Sequence, residues 1–178
     1  MGIDRRTLLI SAAAVAGGIG VGVLAERRGW WTPAIIGTPD PDAALTRVVR
    51  SSEAALIKAY DAALASSPLT VTAANAERLQ AFRDQHADHL AALGGRQDDI
   101  DDAPGPGEPD PDDPESSPTL PPLPGDDTAL PGYLADAEQQ HVMLLSTGVR
   151  IATGGELARL LGLIAASETT HVVGWSRG

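Results

Sequence analysis

Apolar positions recur at three- and four-residue steps in four stretches of the chain, and each apolar face is interrupted by histidine or glutamate. At 100° per residue, a helix over about 43–65 gathers Val49, Leu56, Ile57, Tyr60 and Leu64 around Glu53. Asp42 is placed to cap it, and "SSPLTVT" breaks it. A second helix, about 73–93, aligns Leu79, Phe82, His86, His89, Leu90 and Leu93, turns Asp84 and Asp88 away, and stops at Gly94-Gly95. The third begins near Tyr133 after Pro131 and ends near Ala152, with Leu134, Glu138, His141, Leu145 and Ile151 on one face. Gly154-Gly155 turns the chain into the fourth, which ends near Trp175. Its stripe holds Leu157, Leu160, Leu161, Ile164, Glu168, His171, Val172 and Trp175.

The pattern predicts two helical hairpins, and distance from each turn predicts which polar groups meet. With the first turn near residue 69, Glu53 lies 16 residues before it and His86 lies 17 after it. With the second near residue 154, Glu138 and His141 are 16 and 13 residues away, and Glu168 and His171 are 14 and 17 away. Three glutamates and four histidines are therefore expected at mid-height in one core. "EQQH" and "ETTH" repeat the same Glu-x-x-His spacing, and "HADH" places two histidines on the second helix. Such groups need partners, because burying an unpaired charge is costly.

Composition favours this helical reading. Six aromatics stand among 43% hydrophobic residues in a chain of 178, so the core must come from alanine and leucine, which suit closely packed helices. The chain has no cysteine, which excludes disulfides, thiolate nucleophiles and thiolate metal sites. Any metal would take nitrogen and oxygen ligands. Between the hairpins, residues 97–127 hold nine prolines, eleven acidic residues and no basic one. Residues 96–127 are expected to be a solvated, disordered or extended connector. Its length lets it run the full height of the helices, so the second and third helices can lie parallel. Without the first 25 residues the formal charge is −12, of which −11 lies in residues 97–127, so the helical body is nearly neutral. The acidic run lacks the spaced ligands of an EF-hand loop.

The first 25 residues are set apart from the fold. Arg5 and Arg6 precede an uncharged run from Thr7 to Ala25, and "DRRTLLI" resembles a twin-arginine export signal, with Asp4 where Ser or Thr is usual. Cleavage after Ala25 is one outcome. Retention as a membrane anchor is the other, since these 19 residues would reach about 28 Å as a helix. Both place the domain outside the cytoplasm, in the envelope or beyond it, with the twin-arginine machinery as a partner. Residues 26–42 are an extended approach segment, whose Trp30 and Trp31 either pack under the domain or sit at a membrane interface.

Four helices, a long middle crossover and inward Glu and Glu-x-x-His elements resemble the ferritin-like superfamily. Through "YDAALASSP", "RDQHADHLAALGG" and "AASETTHVV", roughly residues 43–175 are similar to exported actinobacterial ferritin-like proteins. The resemblance implies an all-α, left-handed four-helix bundle, two antiparallel hairpins joined by the crossover. For metal-binding members it implies a carboxylate-bridged pair of ions. Glu53 and Glu138 would be the carboxylates of the first and third helices, and Glu168 with His171 the fourth-helix pair. His86 and His89 depart from the Glu-x-x-His of di-iron members, and His141 is additional. That makes the set richer in nitrogen and poorer in bridging carboxylate.

Carboxylates and imidazoles on facing helices suit Fe, Mn, Zn or Cu, and nitrogen-rich sets favour Zn or Cu. An open coordination position would allow oxidant chemistry, whereas a closed site would only stabilise the fold. The competing reading is a metal-free envelope interaction protein, with the same seven groups hydrogen-bonded to one another. No Gly-rich phosphate loop, nucleophilic triad or basic nucleic-acid patch is present. The sequence does not set the oligomeric state.

Overall fold

A computed structural model describes residues 40–66, 73–108, 120–126 and 128–176. The expected export segment, the approach segment up to residue 39 and the middle of the acidic connector lie outside the described residues. Those described are all-α, 79% helical and without a strand. The helices are α1 (Pro41–Ala65), α2 (Ala73–Ala92), α3 (Gln97–Asp101), α4 (Leu130–Ile151) and α5 (Gly155–Ser176). None of them is long and apolar enough to cross a membrane.

Helix α1 starts two residues earlier than expected, because Asp40 is its cap: the Asp40 carboxylate accepts the Ala43 N–H at 2.9 Å, and Pro41 occupies the first turn. That frees Asp42, whose carboxylate accepts the N–H groups of Thr153 and Gly154 at 2.8 and 2.7 Å. The start of α1 is thereby tied to the α4–α5 turn. Pro131 sits inside the first turn of α4, which begins at Leu130 instead of near Tyr133. Helix α2 ends as expected on Gly94, whose φ of 78° suits a residue without Cβ.

Contacts between the long helices fix their directions. Tyr60 and Ala63 pack with Leu79, while Ala54 and Ile57 pack with Leu90, so α1 and α2 are antiparallel. The three-residue α4–α5 turn makes that pair antiparallel as well. Tyr60 meets Glu138 and Ser52 meets His141, so α1 also runs against α4. Consequently α2 and α4 run parallel. At one end Tyr60, Leu79, Leu134 and Trp175 fill the core, and beyond the polar layer Leu45, Val49, Leu145 and Leu161 are fully or almost fully buried. Ile151, expected on the inner face of α4, is instead 39% exposed, since the helix ends there and the turn carries it past the core.

The described parts of the acidic connector are not simply solvated. Gln97–Asp101 is a helical turn that buries Ile100 against Ala54, Ile57 and Leu90, with Ala103 beside it. Leu120 packs on Ala55, Leu56, Ala59 and Ala137. The two arms meet where the Gly107 N–H donates to the Leu120 carbonyl at 2.6 Å. Arg50 clamps Asp99 at 2.6 Å, and the Lys58 ammonium donates to the Asp101 carbonyl at 2.7 Å. Scattered apolar residues thus cover the outer, alanine-rich face of α1. Residues 52–57 are buried without interruption as a result, Glu53 among them.

Candidate metal centre

All seven predicted side chains meet in one layer between the apolar ends of the core. Glu53 comes from α1, His86 and His89 from α2, Glu138 and His141 from α4, and Glu168 and His171 from α5. Six of the seven side chains are 0–1% exposed, and His89, at 15%, is the edge that reaches solvent.

Part of this layer is satisfied by hydrogen bonds. His141 pairs through Nδ1 with the Ser52 hydroxyl at 2.8 Å and through Nε2 with Glu53 Oε1 at 3.0 Å. Its Nδ1 meets a hydroxyl and only its Nε2 faces a carboxylate, so His141 orients Glu53 and lies outside the groups of side chains that could hold an ion. His86 lies between Glu53 Oε2 at 2.8 Å and Glu138 Oε1 at 3.0 Å. The Tyr60 hydroxyl also donates to Glu138 Oε1, and Trp175 Nε1–H donates to the Tyr60 oxygen at 2.8 Å.

The rest is not. Glu138 Oε2, both oxygens of Glu168, His89 Nδ1 and His171 Nδ1 are buried without a hydrogen-bond partner. His89 Nδ1 is only 2.6 Å from Glu168 Oε1, and His171 Nδ1 is 3.0 Å from Glu168 Oε2, yet neither contact is aligned as a hydrogen bond. Buried polar atoms of this kind are rare in native proteins and call for an occupant. Here they are Lewis bases that crowd together without addressing one another, which is how the ligands of one ion are arranged.

The outer contacts fix His171 for that task. Its Nε2 is 3.0 Å from Gln85 Oε1, which can only accept, so the ring proton belongs on Nε2 and Nδ1 presents a lone pair. Phe82 stacks on the ring at 4.1 Å between centroids. Gly174 makes room for that stack, since a Cβ there would come within 2.8 Å of Phe82.

Electrostatics in the layer are strongly coupled. Burial opposes ionisation of Glu53, but the charge of His141 and hydrogen bonds from His141 and His86 outweigh it and lower the carboxyl to about 2. Glu138, also opposed by burial, is held well below the carboxylate range by the charge of His86 and contacts with His171 and His86. Burial disfavours the cation of His86, yet Glu138 and Glu168 raise it well above the ordinary value. His141 rises beside Glu53, and His171 beside Glu138 and Glu168, in each case against burial. Burial and then the charge of Glu138 push the Tyr60 phenol well above 10, which keeps it a donor.

Ser52, Tyr60, Gln85 and Trp175 are the site residues that the seven-residue prediction leaves out. Tyr60 and Trp175 carry the right helical phase but read as apolar core. Ser52 and Gln85 each neighbour a site residue in sequence and face an adjacent helix, a direction that periodicity toward the core does not register.

The described residues thus define an all-α protein with buried Glu/His groups that could hold a metal ion. No protein-family model matches the chain, and neither a curated protein nor a solved structure matches it.

Proposed function

We propose that this chain is an exported, ferritin-like four-helix protein that binds one or two transition-metal ions in its core, serving metal handling or oxidant defence. Its site is drawn from Glu53, His86, His89, Glu138, Glu168 and His171, with His141 holding Glu53 in place. The observation that carries this reading is the convergence of five buried, unpartnered donor atoms on two histidines and two glutamates. Leaving such atoms unsatisfied costs about 1–3 kcal/mol each, and coordination removes that cost. The donor set is nitrogen and oxygen only, within the range of Zn, Cu, Fe and Mn. When bound, such an ion supplies Lewis acidity, and Fe, Cu or Mn adds redox chemistry. Export through the twin-arginine route is expected from Arg5 and Arg6 and fits a protein loaded before it leaves the cytoplasm.

A metal-free interaction protein has one observation in its favour, the closed hydrogen-bonded set of Ser52, His141, Glu53 and His86. That set accounts for the α1 side of the layer and leaves the atoms around Glu168 unexplained. Metal analysis of the full-length chain purified without chelators separates the two. At least one equivalent per chain is expected, falling to a small fraction in a Glu168→Gln, His171→Ala variant. Sub-stoichiometric metal in both proteins would overturn the metal reading.

A further inference from the structure

Two overlapping ligand sets occupy the layer. Glu53, His86, His89 and Glu168 form one, and His86, Glu138, Glu168 and His171 form the other; within each set the ligand atoms lie within 4.8 Å of one another. Two residues are shared. Glu168 turns Oε1 to His89 at 2.6 Å and Oε2 to His171 at 3.0 Å. His86 turns Nδ1 to Glu53 Oε2 at 2.8 Å and Glu168 Oε1 at 3.4 Å, and turns Nε2 to Glu138 Oε1 at 3.0 Å. One ring therefore faces the first set through one nitrogen and Glu138 of the second through the other.

The separations suit ions. A four-coordinate ion with bonds of about 2.0–2.1 Å keeps its ligand atoms about 3.3 Å apart. Contacts in the first set run from 2.6 to 3.7 Å and in the second from 3.0 to 3.4 Å, on either side of that spacing. Charge closes as well: three carboxylates and one imidazolate ring balance two divalent ions, so the core holds no net charge.

We propose that the layer is a two-ion centre in which the His86 ring links the ions, Nδ1 to one and Nε2 to the other, while Glu168 gives one oxygen to each. This rests on the metal-binding reading above and adds the number of ions and the residue that joins them. Each ring nitrogen of His86 that takes an ion releases its proton to solvent. The two positions are unequal. Each has two imidazoles and two carboxylates, but the first has the His89 edge toward solvent, whereas the second is wholly buried, with Tyr60 against His86 and Phe82 against His171.

Cu(II) titration of the metal-free, full-length chain tests the link, with ions counted by native mass spectrometry and spins by double-integrated electron paramagnetic resonance. Two ions per chain are expected, with a spin signal well below half of that for two isolated ions, because a shared ring couples them. X-ray absorption should place them about 6 Å apart, as set by a ring with bonds of about 2.0–2.1 Å at each end. A separation of about 3.5–4 Å would mean a directly bridged pair and overturn the His86 link. His86→Gln should hold no more than one ion, with full signal. Should that variant not fold, His89→Gln, at a residue that belongs only to the first set, should also leave one ion with full signal. A single ion in the wild type, or two uncoupled ions, overturns the shared ring and leaves metal binding standing. Failure to bind copper or zinc at all overturns both. Two coupled ions in His86→Gln would assign the link to Glu168 alone.

Discussion

On α4, the histidine of "EQQH" has both nitrogens engaged by α1, through Ser52 at 2.8 Å and Glu53 at 3.0 Å. On α5, the histidine of "ETTH" has Nε2 held by Gln85 at 3.0 Å and Nδ1 buried beside Glu168 and Glu138 without a hydrogen bond. The spacing is identical and both rings are buried, yet only His171 has a free lone pair among carboxylates. What differs is the neighbouring helix that each ring meets. A Glu-x-x-His motif thus fixes direction and level, and its neighbours decide between ligand and support.

The sharpest test of this contrast is the stability of the metal-free protein. His141→Ala strands Ser52 and removes one of the two histidines hydrogen-bonded to the buried Glu53, so it should cost about 3–5 kcal/mol in urea unfolding. His171→Ala in the same metal-free state should cost clearly less, because its Nδ1 had no hydrogen bond to lose. Metal affinity should then show the reverse order. His171→Ala is expected to weaken Zn(II) binding by about 100-fold or more. His141→Ala, acting only through Glu53, should weaken it by about 10–100-fold. Equal losses from both variants in competition titrations would dissolve the distinction.

Gln85→Leu probes the outer contact that sets the His171 tautomer. A loss of about tenfold in Zn(II) affinity is expected, with little change in metal-free stability. A further test concerns pH. Glu53 has a folded-state pKa of about 2 against an ordinary 4.5, so its contribution is present above about pH 4.5 and is lost as pH falls toward 2. His141 is raised, so its contribution is complete below its ordinary 6.5 and is lost as pH climbs through the raised value. Thermal melting of the metal-free chain should therefore peak between about pH 4.5 and 6.5 and decline on both sides. In His141→Gln both limbs should flatten, since each depends on the same pair.

The acidic connector offers a second lesson about what sequence conceals. Its average composition is that of a solvated chain, yet Ile100, Ala103 and Leu120 bury themselves on α1. The clue lay in α1 itself, where Ala54, Ala55, Leu56 and Ala59 form an apolar outer face that the other long helices leave partly uncovered. Averages over thirty residues hide three side chains whose burial depends on a surface fifty residues away.

Helical phase and distance from the turns were enough to place seven polar groups on inward faces at one level, because both follow from the fixed geometry of a helix and a short hairpin. They also gave the element order and allowed α2 and α4 to run parallel. The tertiary structure alone decided the role of each nitrogen and oxygen. Phase fixes where a Cα–Cβ bond points, but the side-chain torsions follow hydrogen bonds to residues from other helices, such as Ser52 for His141 and Gln85 for His171. Those partners are far away in sequence, so equal motifs became unequal only when the helices packed.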